Sequence, residues 1–209
     1  MRLRICLSTV GLFALLSIPA AASTRPPMGN ERLAYWTQRV ADTRAWSRFM
    51  YGTARFEPRL IVEHFTGSTT RDAAIGYWNT GPEATWVHFI IDPQGHITQL
   101  APLDVLAKQA FGVSPWAIGV EHVGTTDADV MHNGRMRRAS YRLTCWLRQR
   151  LHIPLRGVIG HGEVTSNPRF TFTPAGWRWI EETGYAFHTD FSHRTMVRYR
   201  DRLRAVCGP

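Results

Sequence analysis

The sequence predicts an α/β fold: a single domain with a central mixed β-sheet flanked by helices. Three observations carry this. Strand-like segments alternate with helix-like ones, two strands meet across a tight turn, and the helical segments show an apolar stripe. The 209 residues suffice for one domain with a real core and leave little room for a second. Hydrophobic residues make up 44% and charged residues 20%, which excludes a disordered or fibrous chain.

Residues 1–22 have the pattern of a secretory signal. Arg2 and Arg4 open it, Ile5 to Ile18 is apolar, and Ala20-Ala21-Ala22 is a small-residue cleavage site. Cleavage after Ala22 places the protein in the periplasm or outside the cell; an uncleaved anchor is the other reading of the same pattern. The stretch is short for a membrane span, and no later segment has 18 uninterrupted apolar residues, so no transmembrane segment is expected after cleavage.

Residues 23–30, with Pro26-Pro27 and Gly29, form a linker to a domain over 31–209 whose motifs lie within 58–193. A helix over 31–50 follows from the spacing of Leu33, Trp36, Val40 and Trp46. Pro58 stops further helix and opens the strand Leu60–His64, and Thr70 and Asp72 start a short helix through Trp78. Thr85–Ile91 is apolar on both alternating sets, Trp86 and Ile90 against Val87, Phe89 and Ile91, as in a strand buried on both faces. Asp92–Gly95 turns it into a partner strand, His96–Leu100. Ala117–Val123 is a further strand. Arg138–Leu151 is an amphipathic helix with Leu143, Trp146, Leu147 and Leu151 on one side, Arg156–Gly160 a short strand, and 194–206 a last helix.

The net charge is +9, and Lys108 is the only lysine beside 24 arginines. Loss of Arg2 and Arg4 with the signal leaves +7. Such a balance favours an anionic partner: nucleic acid, an anionic membrane surface or bacterial cell wall. Scattered arginines, no reader motif and an export signal argue against nucleic acid. Cys6 leaves with the signal, so Cys145 and Cys207 remain, 62 residues apart. A disulfide and two separate thiols are both open, and there is no CxxC or finger-type zinc spacing.

Three strand ends finish in chemically capable groups: His64, Glu121 and His161. Neighbouring strand ends converge on one sheet edge, where α/β sheets bind ligands. Two imidazoles and a carboxylate are the usual minimum for a catalytic zinc, with Glu121 then free to act as general base. Gly119 shares the Glu121 face and leaves room above the sheet for metal or substrate. Each histidine could equally be a hydrogen-bonded surface residue.

Four segments together resemble a known family. Leu60-Ile61-Val62-Glu63-His64-Phe65-Thr66-Gly67-Ser68 is similar to the first motif of zinc-dependent N-acetylmuramoyl-L-alanine amidases, whose fold is shared with peptidoglycan recognition proteins and phage amidase-type lysozymes. Val87–Ile97 resembles their hairpin, Ala117–Gly124 their Ile-Gly-Ile-Glu strand, and Gly160-His161-Gly162-Glu163 their second histidine motif. The resemblance covers about half the chain. It implies His64 and His161 as Zn2+ ligands, Glu121 as the glutamate that takes a proton from water, and peptidoglycan or muropeptides as substrate, cut between N-acetylmuramic acid and L-alanine. Oligomeric state stays open.

The third ligand is where this chain departs. The family's Lys-x-Asp-Pro-Gly segment is expected about ten residues after the second histidine, but Asn167–Pro174 holds no Asp, Cys or Lys. His188-Thr189-Asp190-Phe191 offers the same spacing further on, as in a subgroup with a His-x-Asp-Phe segment before a C-terminal helix. Asp190 is then the ligand and His188 the catalytic group in the lysine's place, with Pro174–Phe187 a long loop at the site. His188 as ligand with Asp190 behind it is the other arrangement. A non-catalytic peptidoglycan-binding protein with a degenerate metal site is the alternative function. His88 and His122 are expected to be hydrogen-bonded in the core or pocket wall. Glu63 and Glu163 are supporting groups or surface charges, Trp177 and Trp179 groove or core residues. Gln109 replaces the substrate-facing histidine of a Trp-His-Ala segment.

Intact-mass measurement of the exported protein is expected to give a chain beginning at Ser23; a mass retaining Met1 refutes the cleavage.

Overall fold

The computed structural model describes residues 24–80, 85–164, 172–185 and 188–208. The signal over 1–22 and most of the Asn167–Pro174 segment lie outside them. Six strands form one mixed sheet: β1 (Gly29–Asn30), β2 (Leu60–Phe65), β3 (Phe89–Ile91), β4 (Ile97–Gln99), β5 (Ala117–His122) and β6 (Val158–Gly160), in the order β1-β4-β3-β5-β2-β6. Only the β3–β4 hairpin is antiparallel. The helices are α1 (Trp36–Tyr51), α2 (Arg71–Trp78), α3 (Asp127–His132), α4 (Gly134–Leu151), α5 (Pro174–Thr183) and α6 (His193–Cys207). The expected α/β fold with helices on a mixed sheet is what the chain adopts.

Alternation along the strands divides the core between two faces. Ile61, Ile118, Val120, Phe89 and Ile91 face α4 and α6, packing with Leu143, Leu147, Tyr199 and Leu203. Leu60, Val62, Ala117 and Ile90 face the opposite side, where α1, α2 and α5 lie. Register aligns the chemistry: β2 pairs β5 with His64 beside Glu121, and pairs β6 with Glu63 beside Gly160, so His161 follows one step on.

Several elements differ from their sequence pattern. The strand expected over Thr85–Ile91 shrinks to β3: His88 still bonds Gly119 and Leu100, but the Trp86 amide donates to the Lys108 carbonyl. Val87 therefore joins Trp86 in one cluster instead of facing the other way. The linker contributes the edge strand β1, which pairs with β4. α1 begins at Trp36, after a left-handed Tyr35, and buries a polar face: Arg39, Thr43 and Ser47. These positions are tolerated because each has a partner. Arg39 donates to the carbonyls of Ala34 and Trp78, Thr43 accepts from the Trp86 indole, and Ser47 donates to the Thr53 carbonyl. α3 starts at a Thr126/Asp129 capping box, and α4 reaches back to Gly134, capped by Asn133. The loop expected over Pro174–Phe187 contains α5, with Thr173 as N-cap, Pro174 at its first position and Gly184 after its end.

Cys145 and Cys207 form a disulfide, their Cα atoms 5.8 Å apart, joining α4 to α6. No helix among the described residues is long and apolar enough to cross a membrane. A bridge closing 62 residues stabilises by roughly 4 kcal/mol on the chain-entropy account. Cys145→Ser is therefore expected to lower the melting temperature by about 10 °C; calorimetry showing no change refutes it.

Candidate metal centre and substrate cavity

His64 ends β2, His161 follows β6, and Asp190 sits just before α6. All three are buried. One nitrogen from each histidine and one Asp190 oxygen lie within 4.8 Å of one another. His64 Nδ1 is 3.2 Å from Asp190 Oδ2 and His161 Nδ1 is 3.1 Å from Asp190 Oδ1. His161 Nε2 is buried with no hydrogen-bond partner among the described residues. Orphaned buried atoms of this kind cost free energy unless a ligand satisfies them. A two-histidine, one-carboxylate set suits Zn2+ with a position left open.

The third ligand position is filled by close backbone approach. A Cβ on Gly160 would lie 1.9 Å from the Phe191 carbonyl oxygen, and one on Gly162 would lie 2.7 Å from that of Thr189. Glycine on both sides of His161 thus lets the 189–191 segment lie against β6, where Gly162 N–H donates to the Asp190 carbonyl at 2.6 Å. Asp127 holds the segment's far side, accepting from the Phe191 and Ser192 amides and from the Ser192 and Thr195 hydroxyls. Glu163 ties the same turn to α6 through Arg200 at 2.6 Å. It also meets His193, so Glu163 is a half-buried anchor.

Gln109 orients His64. His64 Nε2 donates to Gln109 Oε1 at 2.7 Å, and Gln109 Nε2 donates to the Ala117 carbonyl, which fixes the amide's direction. That pins the tautomer and leaves Nδ1 for Asp190 or a metal. The space above Gly119 is taken by this side chain: a Cβ there would meet Gln109 at 2.9 Å. The room expected for metal or substrate is Gln109's room, and Gln109 faces a ligand histidine.

Charge in the cluster is coupled. Burial alone would lower the His64 pKa, but the hydrogen bond it donates to Asp190 and the charges of Glu121 and Asp190 push it up to about 9. Burial raises the Asp190 carboxyl; hydrogen bonds and charge from His161 and His64 overcome that and hold it below the usual range. Burial and the His64 charge take His161 down to about 4. Burial lifts Glu121 to about 7, with the His64 charge opposing and Asp190 adding to the rise. Glu121 Oε2 has no hydrogen-bond partner among the described residues.

His188 is exposed and stacks on His161, ring centroids 5.0 Å apart and planes at 9°; it is not part of the ligand cluster. A cavity of about 440 Å³ opens beside the cluster, lined by His64, Glu121, His161, His188, Tyr185 and Trp86 among others. Lys108 and Tyr77, the latter 66% exposed, also border it. Tyr185 and Asp127 were not singled out by sequence: one is an aromatic after a helix end, the other the first residue of a short capped helix. Trp179 lies over Phe111 at 5.5 Å, whereas Trp177 meets Phe172 edge-on, away from the cavity. His88 accepts from Gly119 N–H and faces the Val105 carbonyl, and His122 bridges the His64 carbonyl and Ser140, both buried as expected.

Gly160→Ala is expected to cost about 1–3 kcal/mol or more from overpacking and to abolish divalent-metal capture. Gly29→Ala, with open space around it, is the neutral control. Retained metal binding in the first variant, read by calorimetric titration, refutes the close-approach account.

Comparison with known proteins agrees with this architecture. The N-acetylmuramoyl-L-alanine amidase family model matches residues 54–170, a span that holds His64, Glu121 and His161 but ends before Asp190. No curated protein matches the sequence. Among solved structures the chain is similar to PlyL (11% identity, TM-score 0.53, covering 85% of this chain and 97% of that one). It is also similar to the Staphylococcus aureus hydrolase AmiA in complex with its ligand (18%, 0.55, 88% and 87%). A mutant endolysin from Bacillus subtilis matches at 17% identity and a TM-score of 0.54, covering 87% and 99%. At such identities the likeness shows the fold alone. The family match spans more than half of the residues, and the chain belongs to the N-acetylmuramoyl-L-alanine amidase family.

Proposed function

We propose that the protein is an exported, zinc-dependent amidase that hydrolyses the bond between N-acetylmuramic acid and L-alanine in peptidoglycan or its fragments. The observation that carries this is the buried His64–His161–Asp190 cluster with Glu121 beside it at the floor of an open cavity. Family membership supports the reaction class.

His64, His161 and Asp190 would hold the metal, and zinc there supplies a Lewis acid that polarises the scissile carbonyl. Glu121 takes the proton of the attacking water. Its pKa, lifted by burial to about 7, lets it be ionised and still a useful base near neutrality. His188 stands at the cavity rim against His161, where it gives a proton to the leaving amine. An imidazole N–H is a suitable general acid for that role. Gln109 keeps His64 in the metal-binding tautomer. Tyr77 and Tyr185 offer aromatic walls for sugar or peptide.

Two substitutions separate the roles. Asp190→Ala is expected to lose zinc, read by metal analysis. Glu121→Ala is expected to keep zinc and lose about 10²–10⁴ in kcat, read by mass spectrometry of digested peptidoglycan. Free stem peptides from the Glu121 variant at the wild-type rate refute the base assignment. A wild-type protein without stoichiometric zinc refutes the metal.

A further inference from the structure

We propose that the outer face of α4 and α6 is a docking surface for an anionic lipid membrane, with phosphate headgroups as its ligands. These two helices carry eleven arginines and one acidic residue, Asp201, which is paired with Arg204. Arg148 and Arg200 are turned to internal partners. Arg135, Arg138, Arg142 and Arg150 on α4, and Arg194, Arg198 and Arg202 on α6, are exposed and have no ion pair among the described residues.

The two helices lie side by side. The Cys145–Cys207 disulfide joins them, and Tyr199 of α6 contacts Thr144 and Tyr141 of α4. Both bury their inner sides on the same face of the sheet, so their arginine stripes point the same way. None of these arginines lines the substrate cavity, which opens on the side of α1, α2 and α5. Attraction to the substrate being cut therefore does not account for this charge. Guanidinium groups match phosphate through paired N–H donors, and a row of them gains from each headgroup it meets.

Two observations favour a lipid surface over a soluble polyanion. Val197 and Val206 are 43% and 57% exposed on α6 among the arginines, an apolar component that a membrane interface accepts. The described chain also begins at this face: the Arg25 guanidinium lies over the Trp146 ring of α4 at 5.7 Å. In the sequence the apolar segment Ile5–Ile18 ends seven residues before Arg25.

The test uses the exported protein with phosphatidylcholine vesicles, with or without phosphatidylglycerol, and with purified peptidoglycan and duplex DNA as competing surfaces. Binding is expected only to vesicles containing phosphatidylglycerol, weakening as salt rises. The variant Arg135→Gln, Arg138→Gln, Arg194→Gln, Arg198→Gln is expected to bind them about tenfold more weakly or worse. Its melting temperature and its action on soluble muropeptides should stay unchanged. Unchanged vesicle affinity in the variant overturns the proposal. So does wild-type binding to neutral vesicles of equal strength, or a loss confined to peptidoglycan or shared equally by DNA.

Discussion

The site depends on one close packing: the Thr189–Phe191 backbone laid against Gly160-His161-Gly162. Its drive is hydrophobic. Phe191 is fully buried between His122 and Tyr199, 5.1 and 6.1 Å from their rings, and fills the core beneath α4 and α6. To enter there the backbone adopts φ 51° at Phe191, a left-handed conformation that costs a side-chain-bearing residue about 1–2 kcal/mol. Burying an aromatic side chain offsets that, at about 1.5–3 kcal/mol. Asp127 compensates the turn's amides. Asp190 is carried between two histidines because its neighbour is an anchor.

A second constraint acts on His64 from below. Its carbonyl accepts from His122, whose other nitrogen meets Ser140; Ser140 meets Tyr199, and Tyr199 and Thr144 both donate to Glu63. Burial pushes Glu63 up to about 7 against those two hydrogen bonds, and takes His122 down to about 4. Burial thus disfavours the charged form of both groups. A buried chain of partners is rigid when satisfied and expensive when broken. It belongs to α4 and α6, so the helices remote from the cavity determine where the first histidine stands.

What was legible in sequence follows from what is local. The strands ending in His64, Glu121 and His161 were readable because a parallel strand buried on both faces is a run of apolar residues. Their convergence follows from register. Asp190 could be found only by likeness of spacing, since Phe191's burial and the Gly160 approach are contacts between segments about 30 residues apart. Gln109 was read as facing substrate because nothing in its own neighbourhood shows that His64 lies within hydrogen-bond reach. The buried Arg39, Thr43 and Ser47 lie alongside the expected apolar positions of α1, and their partners include residues on other elements. α5, by contrast, carries its Thr-Pro start and Gly stop locally, within a stretch expected to be loop.

The sheet also separates support from chemistry. Along β2 alone, Ile61 and Glu63 point to α4 and α6, while Val62 and His64 point to the cavity side. Period-two alternation therefore assigns support to one face and chemistry to the other within six residues. The charge follows the same division. The single lysine borders the cavity, and the exposed arginines of α4 and α6 do not. In the proposed docking, an anionic surface held on the arginine side would leave the cavity mouth unobstructed. Were the same charges gathered around the cavity, the surface that attracts the protein would compete with its substrate.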